Sequence, residues 1–185
     1  MIYAALDLSS HSGWACWCSD TGRLRYGTKH LVGWEYDAAS RLEFWRVWLN
    51  DWFKIHDPEL IGIEGWILAA HNDAVTLGRQ IALNEFTHWV IKRRGARSTS
   101  IAAGTWRKTW YGSAHRPANC DWKHMAIDRV KAMGFAPPDD NPSWLLSDHN
   151  TAEAIAILDN LIHAKGKHIP PWRDHAIFSR KALPL

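Results

Sequence analysis

Three short apolar runs, Ile2 to Leu8, Gly13 to Cys18 and Leu24 to Val32, crowd the first 32 residues, too short and too closely spaced for helices. Asp20-Thr21-Gly22-Arg23 between the second and third reads as a hairpin turn, so the chain begins as an antiparallel meander. The pattern then changes period. After Asp37, a suitable N-cap, Leu42, Trp45, Leu49 and Trp52 recur at three- and four-residue steps, predicting an amphipathic helix that ends near His56-Asp57-Pro58. Leu60-Ile61-Gly62-Ile63-Glu64 is a brief buried strand. A helix follows over about 73–93 with Leu77, Ile81, Phe86, Trp89 and Val90 on its apolar face. Ser98 to Ala103 is the next strand, Asp121 to Met133 a helix stopped by Gly134, 135–142 a loop, and Asp148 to Ala164 a last helix. Three antiparallel strands followed by alternating helix and strand imply an α/β fold: one mixed sheet with helices on both faces, because each parallel return needs a crossover.

At 185 residues the chain is the size of one domain, expected here over 1–164 with a basic, proline-containing arm over 165–185. No apolar run approaches the roughly 20 residues that cross a bilayer, and no basic region precedes the first one, so no membrane span or signal peptide is expected. Three cysteines make no disulfide framework for this length, which favours a reducing cytoplasm. Cys16 and Cys18 share one face of a strand, but Cys120 stands alone and the 11 histidines show no paired spacing; they read as ordinary cysteines rather than zinc ligands.

The net charge of +3 hides a segregation: −4 over 1–91, +8 over 92–131, −5 over 132–164 and +4 over 165–185. A basic stretch between acidic ones suits a polyanion partner beside a carboxylate cluster, or simply a solvated charged face. Lys92, Arg93, Arg94, Arg97, Arg107, Lys108, Arg116 and Lys123 are the residues able to neutralise phosphates.

Asp7 lies in an apolar strand, where an unpaired carboxylate is costly and needs a cation or a set of hydrogen bonds. Glu64 repeats the situation at the end of its own strand, so the two could share a divalent metal, or each could cap the turn that follows it. A third acidic element lies in Asp148-His149-Asn150-Thr151-Ala152-Glu153. At 100° per residue, 150 and 153 share a helix face while 148 and 153 lie about 140° apart, so Asp148 could join a site only from the loop side. Asn150-x-x-Glu153 can equally be a capping box.

Together these pieces resemble the RuvC-type Holliday junction resolvases of the RNase H-like superfamily, over about residues 1–164. The resemblance rests on Leu6-Asp7-Leu8-Ser9-Ser10 leading to Gly13, on Ile63-Glu64-Gly65-Trp66, and on Ala69-Ala70-His71-Asn72 leading into Leu77-Gly78-Arg79. It continues in Trp106-Arg107-Lys108-Thr109-Trp110-Tyr111-Gly112, a helix start containing Lys123, and Asn150-Thr151-Ala152-Glu153-Ala154-Ile155-Ala156. It implies a structure-selective DNA endonuclease, a homodimer acting on branched DNA, with Mg²⁺ or Mn²⁺, two per site, held by carboxylates. Asp7 would bridge the metals, Glu64 would hold one, and Asp148 or Glu153 the other, with Asn150 beside them. The family usually has Asp at the position of Glu153 and His or Asp at that of Asn150, which leaves the last ligand open. Trp66 corresponds to an aromatic wedge at the branch point.

Thirteen tryptophans divide into two groups. Trp45, Trp52 and Trp89 follow helical apolar faces and read as core or subunit interface, whereas Trp66, Trp106, Trp110 and Trp122 are placed either to stack on a base or to fill the core. The other enzymatic reading is a nuclease of the same fold acting on other branched DNA or RNA–DNA hybrids. A non-catalytic DNA-binding subunit is a third. A sugar-kinase or actin-like ATPase would need a second glycine-rich phosphate loop and usually a second domain, neither of which is evident.

Overall fold

The computed structural model describes residues 1–31, 37–65, 74–115, 120–135, 148–165 and 168–178. Five strands, β1 (Ile2–Asp7), β2 (His11–Cys18), β3 (Leu24–His30), β4 (Leu60–Glu64) and β5 (Arg97–Ile101), form one sheet in the order β3-β2-β1-β4-β5. The β1–β2 and β2–β3 pairs are antiparallel, and β1–β4 and β4–β5 are parallel. The mixed sheet inferred from the element order is thus the one observed. Gly22 closes the first hairpin at φ +67°, a conformation that favours glycine.

Period-two alternation distributes the side chains between two cores. Ala4, Leu6, Cys16, Ile61 and Ile63 face α1 (Ala38–His56) and α2 (Ala74–Arg93), together with Trp45, Leu49, Trp52, Val90 and Ile91. Tyr3, Ala5, Ala15 and Trp17 face the other way, onto α3 (Ala103–Tyr111), α4 (Trp122–Ala132) and α5 (His149–Lys165). Asp37 caps α1 as expected, accepting from the backbone N–H of Ser40, and the Trp45 indole donates to Thr87 Oγ1 across α1 and α2 at 2.8 Å. The central helix is α5. From Thr151 to Ile162 its residues are buried, against β1 and β2 on one side and α3 and α4 on the other.

Three expectations change. Strand β5 ends at Ile101 rather than Ala103, and the nine-residue helix α3 follows; its signal was the apolar spacing Ala103, Trp106, Trp110, obscured by Gly104. The inner face of α2 is carried by Asn84, Thr87, Val90 and Ile91, so Trp89 is not core: it is 54% exposed and stacks on Phe86. Residues 168–178, within the expected arm, lie against α5. Trp172 is buried, and its indole and the Arg173 guanidinium both donate to the fully buried Asp159 carboxylate. Among the described residues no helix is long and apolar enough to cross a membrane.

Candidate active site

Asp7 is the last residue of β1 and Glu64 the last of β4. The parallel register Leu6↔Ile63 sets them side by side at the carboxyl ends of neighbouring strands. Alternation puts both on the α5 face: Asp7 follows Tyr3 and Ala5, and Glu64 follows Leu60 and Gly62. At Gly62, on the same face, a Cβ would make ordinary contacts with Ile157 and Leu161 of α5 at 3.5 Å and press on Ile101 Cδ1 of β5 at 2.8 Å. From α5, Glu153 completes the group, with Asp7 and Glu153 only 5% and 8% exposed.

Asp7 and Glu153 both have a raised proton affinity. Asp7 is held well above the usual carboxylate range by burial first, then by the charges of Glu64 and Glu153 and a hydrogen bond with Glu64. Glu153 is pushed up to about 7 by burial and by Glu64, against the opposing pull of Arg107 and Lys123. Glu64 is the carboxyl with a fixed neutral donor: the indole N–H of the fully buried Trp106 reaches Glu64 Oε1 at 2.8 Å. Trp106 is therefore not an open stacking platform. Its ring also faces the Arg107 guanidinium, which sits 5.0 Å from the Trp106 ring centroid and 5.3 Å from that of Trp122. Arg107 Nε is buried without a hydrogen-bond partner among the described residues.

Asp148 plays a different part. Its Oδ1 accepts the backbone N–H groups of Asn150 and Thr151, and its Oδ2 accepts the hydroxyls of Thr151 and Thr28. That is an N-cap on α5, tied by Thr28 to β3. Asn150 gives its main chain to the fold: its carbonyl lies where a Cβ on Gly13 would be, 2.0 Å from that position. A glycine inside an apolar strand signals such a close approach, and this one went unread in the sequence. Sequence reasoning missed Thr28 altogether, and of Trp106 and Gly13 it missed the part each plays here.

The basic stretch divides. Arg107, Lys108 and Lys123 lie on α3 and at the start of α4, with Arg107 and Lys123 close enough to act on Glu153. Arg93 and Arg94 end or follow α2 and Arg97 opens β5, paired with Leu60 at the amino end of β4. Four residues of strand separate that end from Glu64, about 13 Å at 3.3 Å per residue. Trp66 and Arg116 lie outside the described residues. Trp110 is fully buried and Trp122 half-buried, stacked on Tyr111.

No protein-family model matches the sequence, and no curated protein does. Solved structures do. Thermus thermophilus RuvC superposes with a TM-score of 0.61 at 16% identity, covering 92% of this chain and 99% of that one. The T. thermophilus RuvC structure in complex with a Holliday junction substrate gives 0.65 at 11%, covering 90% and 98%. The yeast mitochondrial Holliday junction resolvase Ydc2 gives 0.62 at 13%, covering 97% and 81%. The chain has the RuvC-type fold. Within that fold Asp7, Glu64 and Glu153 meet where the carboxyl ends of the parallel strands run under α5, the crevice position at which open α/β sheets present ligand groups.

The carboxyls that converge here are the donor type that a hard divalent cation takes. Asp7 and Glu153 are buried and Glu64 is half-buried, and the pull of Arg107 and Lys123 does not cancel the rise at Glu153. Among the described residues no three His, Cys, Asp or Glu side chains are already arranged as a metal cage.

Proposed function

We propose that this protein is a metal-dependent, structure-selective DNA endonuclease that resolves four-way junctions by paired nicks. The observation that carries this reading is the convergence of the buried Asp7 and Glu153 with the half-buried Glu64, like charges in one crevice, in a RuvC-type fold. Mg²⁺ or Mn²⁺, two per site, would be held by these three carboxylates and would supply Lewis-acid stabilisation of the phosphoryl oxygens and acidify the attacking water. Asp7, which feels the charges of both other carboxyls, would be the ligand shared between the ions. Trp106 holds Glu64 in place through its indole N–H, while Asp148 and Thr28 fix the start of α5, and with it Glu153. Arg107, Lys108 and Lys123 neutralise phosphates beside the site, with Arg93, Arg94 and Arg97 available to a more distant segment of DNA. Paired nicks need two sites related by a two-fold axis, hence a homodimer; Val75 and Trp89, 60% and 54% exposed on α2, offer an apolar face for it.

A panel of synthetic DNAs (four-way, three-way, flap, linear, and an RNA–DNA hybrid) incubated with and without Mg²⁺ tests the reading. Cleavage of the four-way form alone, in Mg²⁺ alone, is the expected result. Preferential cutting of another member reassigns the substrate, and no cutting of any member overturns the enzymatic reading.

The third ligand is separable by substitution. Glu153→Gln should abolish cleavage, whereas Asp148→Asn should retain it with a stability change of about 1 kcal/mol or less, since Asn is as good an N-cap as Asp. Loss of cleavage in a stable Asp148→Asn protein would return Asp148 to the ligand set. Trp106→Phe keeps the buried ring and deletes the donor to Glu64. Outer partners of metal ligands contribute roughly 10- to 100-fold to affinity, so half-maximal cleavage should need at least about tenfold more Mg²⁺. A Mg²⁺ dependence equal to that of the wild type would show the indole to be packing only.

A further inference from the structure

The histidines have no pairing in the sequence, but the β2–β3 register supplies one. His11 and His30 are directly opposed across the antiparallel pair, their ring centroids 3.9 Å apart and their planes at 77°, and both side chains are exposed. By alternation they share a face with Gly13 and Thr28, which are themselves paired. The two imidazoles therefore stand one row beyond the Thr28–Asp148 bond, about 7 Å further along the strands. Ser10 Oγ lies 3.3 Å from His11 Nδ1.

Directly opposed residues have Cβ atoms about 4.5 to 5.5 Å apart, a span across which two imidazole nitrogens can turn to within about 2.0 to 2.1 Å of one ion. Burial and the neighbouring His30 hold the His11 pKa below the ordinary imidazole range, against the charge of Asp148, which leaves the ring neutral and able to ligate at neutral pH. We propose that His11 and His30 form a two-imidazole site for a borderline transition-metal dication, Zn²⁺, Ni²⁺ or Cu²⁺, at the rim of the crevice and separate from the carboxylates. Ligand type keeps the two sites apart: imidazole suits Zn, Ni and Cu, whereas carboxylate suits Mg and Mn. With no group of three such donors among the described residues, water completes the coordination. The ion bridges β2 to the edge strand β3, so its binding stabilises the folded chain by mass action. This inference does not rest on the nuclease reading.

The test is calorimetric titration of the full, tag-free chain with Ni²⁺ in saturating Mg²⁺, which occupies the carboxylates. The wild type should bind one more Ni²⁺ per chain than His11→Ala or His30→Ala, and Asp7→Asn should bind as the wild type does. Both histidines are exposed, so the variants fold, and circular dichroism verifies that they do. Equal Ni²⁺ binding by the wild type and either His variant, or loss of that ion in Asp7→Asn, overturns the proposal.

Discussion

Asp7→Asn should fold, bind four-way DNA and fail to cut it. The substitution hardly changes volume, but it removes the carboxylate proposed to be shared by the metals and with it several kcal/mol of charge stabilisation. At 1.36 kcal/mol per tenfold in rate, that is a loss of about 10³-fold or more. On the proposed reading binding rests on phosphate contacts from Arg107, Lys108 and Lys123 and should survive. A stability signature accompanies the loss. The folded-state proton affinity of Asp7 is raised, so in chelator the folded protein holds a proton that the unfolded chain releases near pH 4. Above that pH the wild type loses stability until Asp7 has ionised, whereas Asp7→Asn lacks this contribution. The Tm advantage of the variant should therefore grow as pH rises from about 4, and Mg²⁺ should erase it by stabilising only the wild type. A well-folded Asp7→Asn protein that cuts at the wild-type rate would remove Asp7 from the reaction.

Gly13→Ala should be among the most destabilising single-methyl additions this chain can take. The added Cβ would fall 2.0 Å from the Asn150 carbonyl oxygen, a backbone atom that cannot rotate away. Overpacking a well-filled core costs roughly 1 to 3 kcal/mol, and a main-chain clash belongs at or above the top of that range. At about 2 to 4 °C per kcal/mol for a chain of this size, Tm should fall by about 10 °C. If the chain instead relieves the clash by moving the start of α5, Asp148, Thr151 and Glu153 move with it, and cleavage falls further than stability. A Tm within 2 °C or so of the wild type, with full activity, would mean that β2 and α5 are not packed this closely.

The positions of Asp7 and Glu64 were legible in the sequence because a carboxylate closing a short apolar run has few structural excuses, and because strand alternation fixes its face once the neighbours are known. Glu153 and Asp148 were both in view, but their division of labour was not. It depends on Thr28, 120 residues away, reaching the Asp148 carboxylate from β3. The His11–His30 pair stayed hidden for the same reason: hairpin register, not spacing along the chain, opposes them. The basic stretch is continuous in the sequence but divided in space. It runs from the end of α2 along β5 and into α3, so Arg97 and Arg107 lie toward opposite ends of the sheet although only ten residues separate them. Trp106 showed itself as an aromatic in a basic segment, and only the fold reveals that its N–H is committed to Glu64.

The central claim is that Asp7, Glu64 and Glu153 together form a site for a hard dication. Calorimetric titration with Mg²⁺ of the wild type and of Asp7→Asn, Glu64→Gln and Glu153→Gln, each checked for folding, tests it most directly. Binding by the wild type that is lost or severely weakened in all three variants, and retained in Asp148→Asn, is the predicted result. Equal Mg²⁺ binding by the wild type and the three carboxamide variants would contradict it.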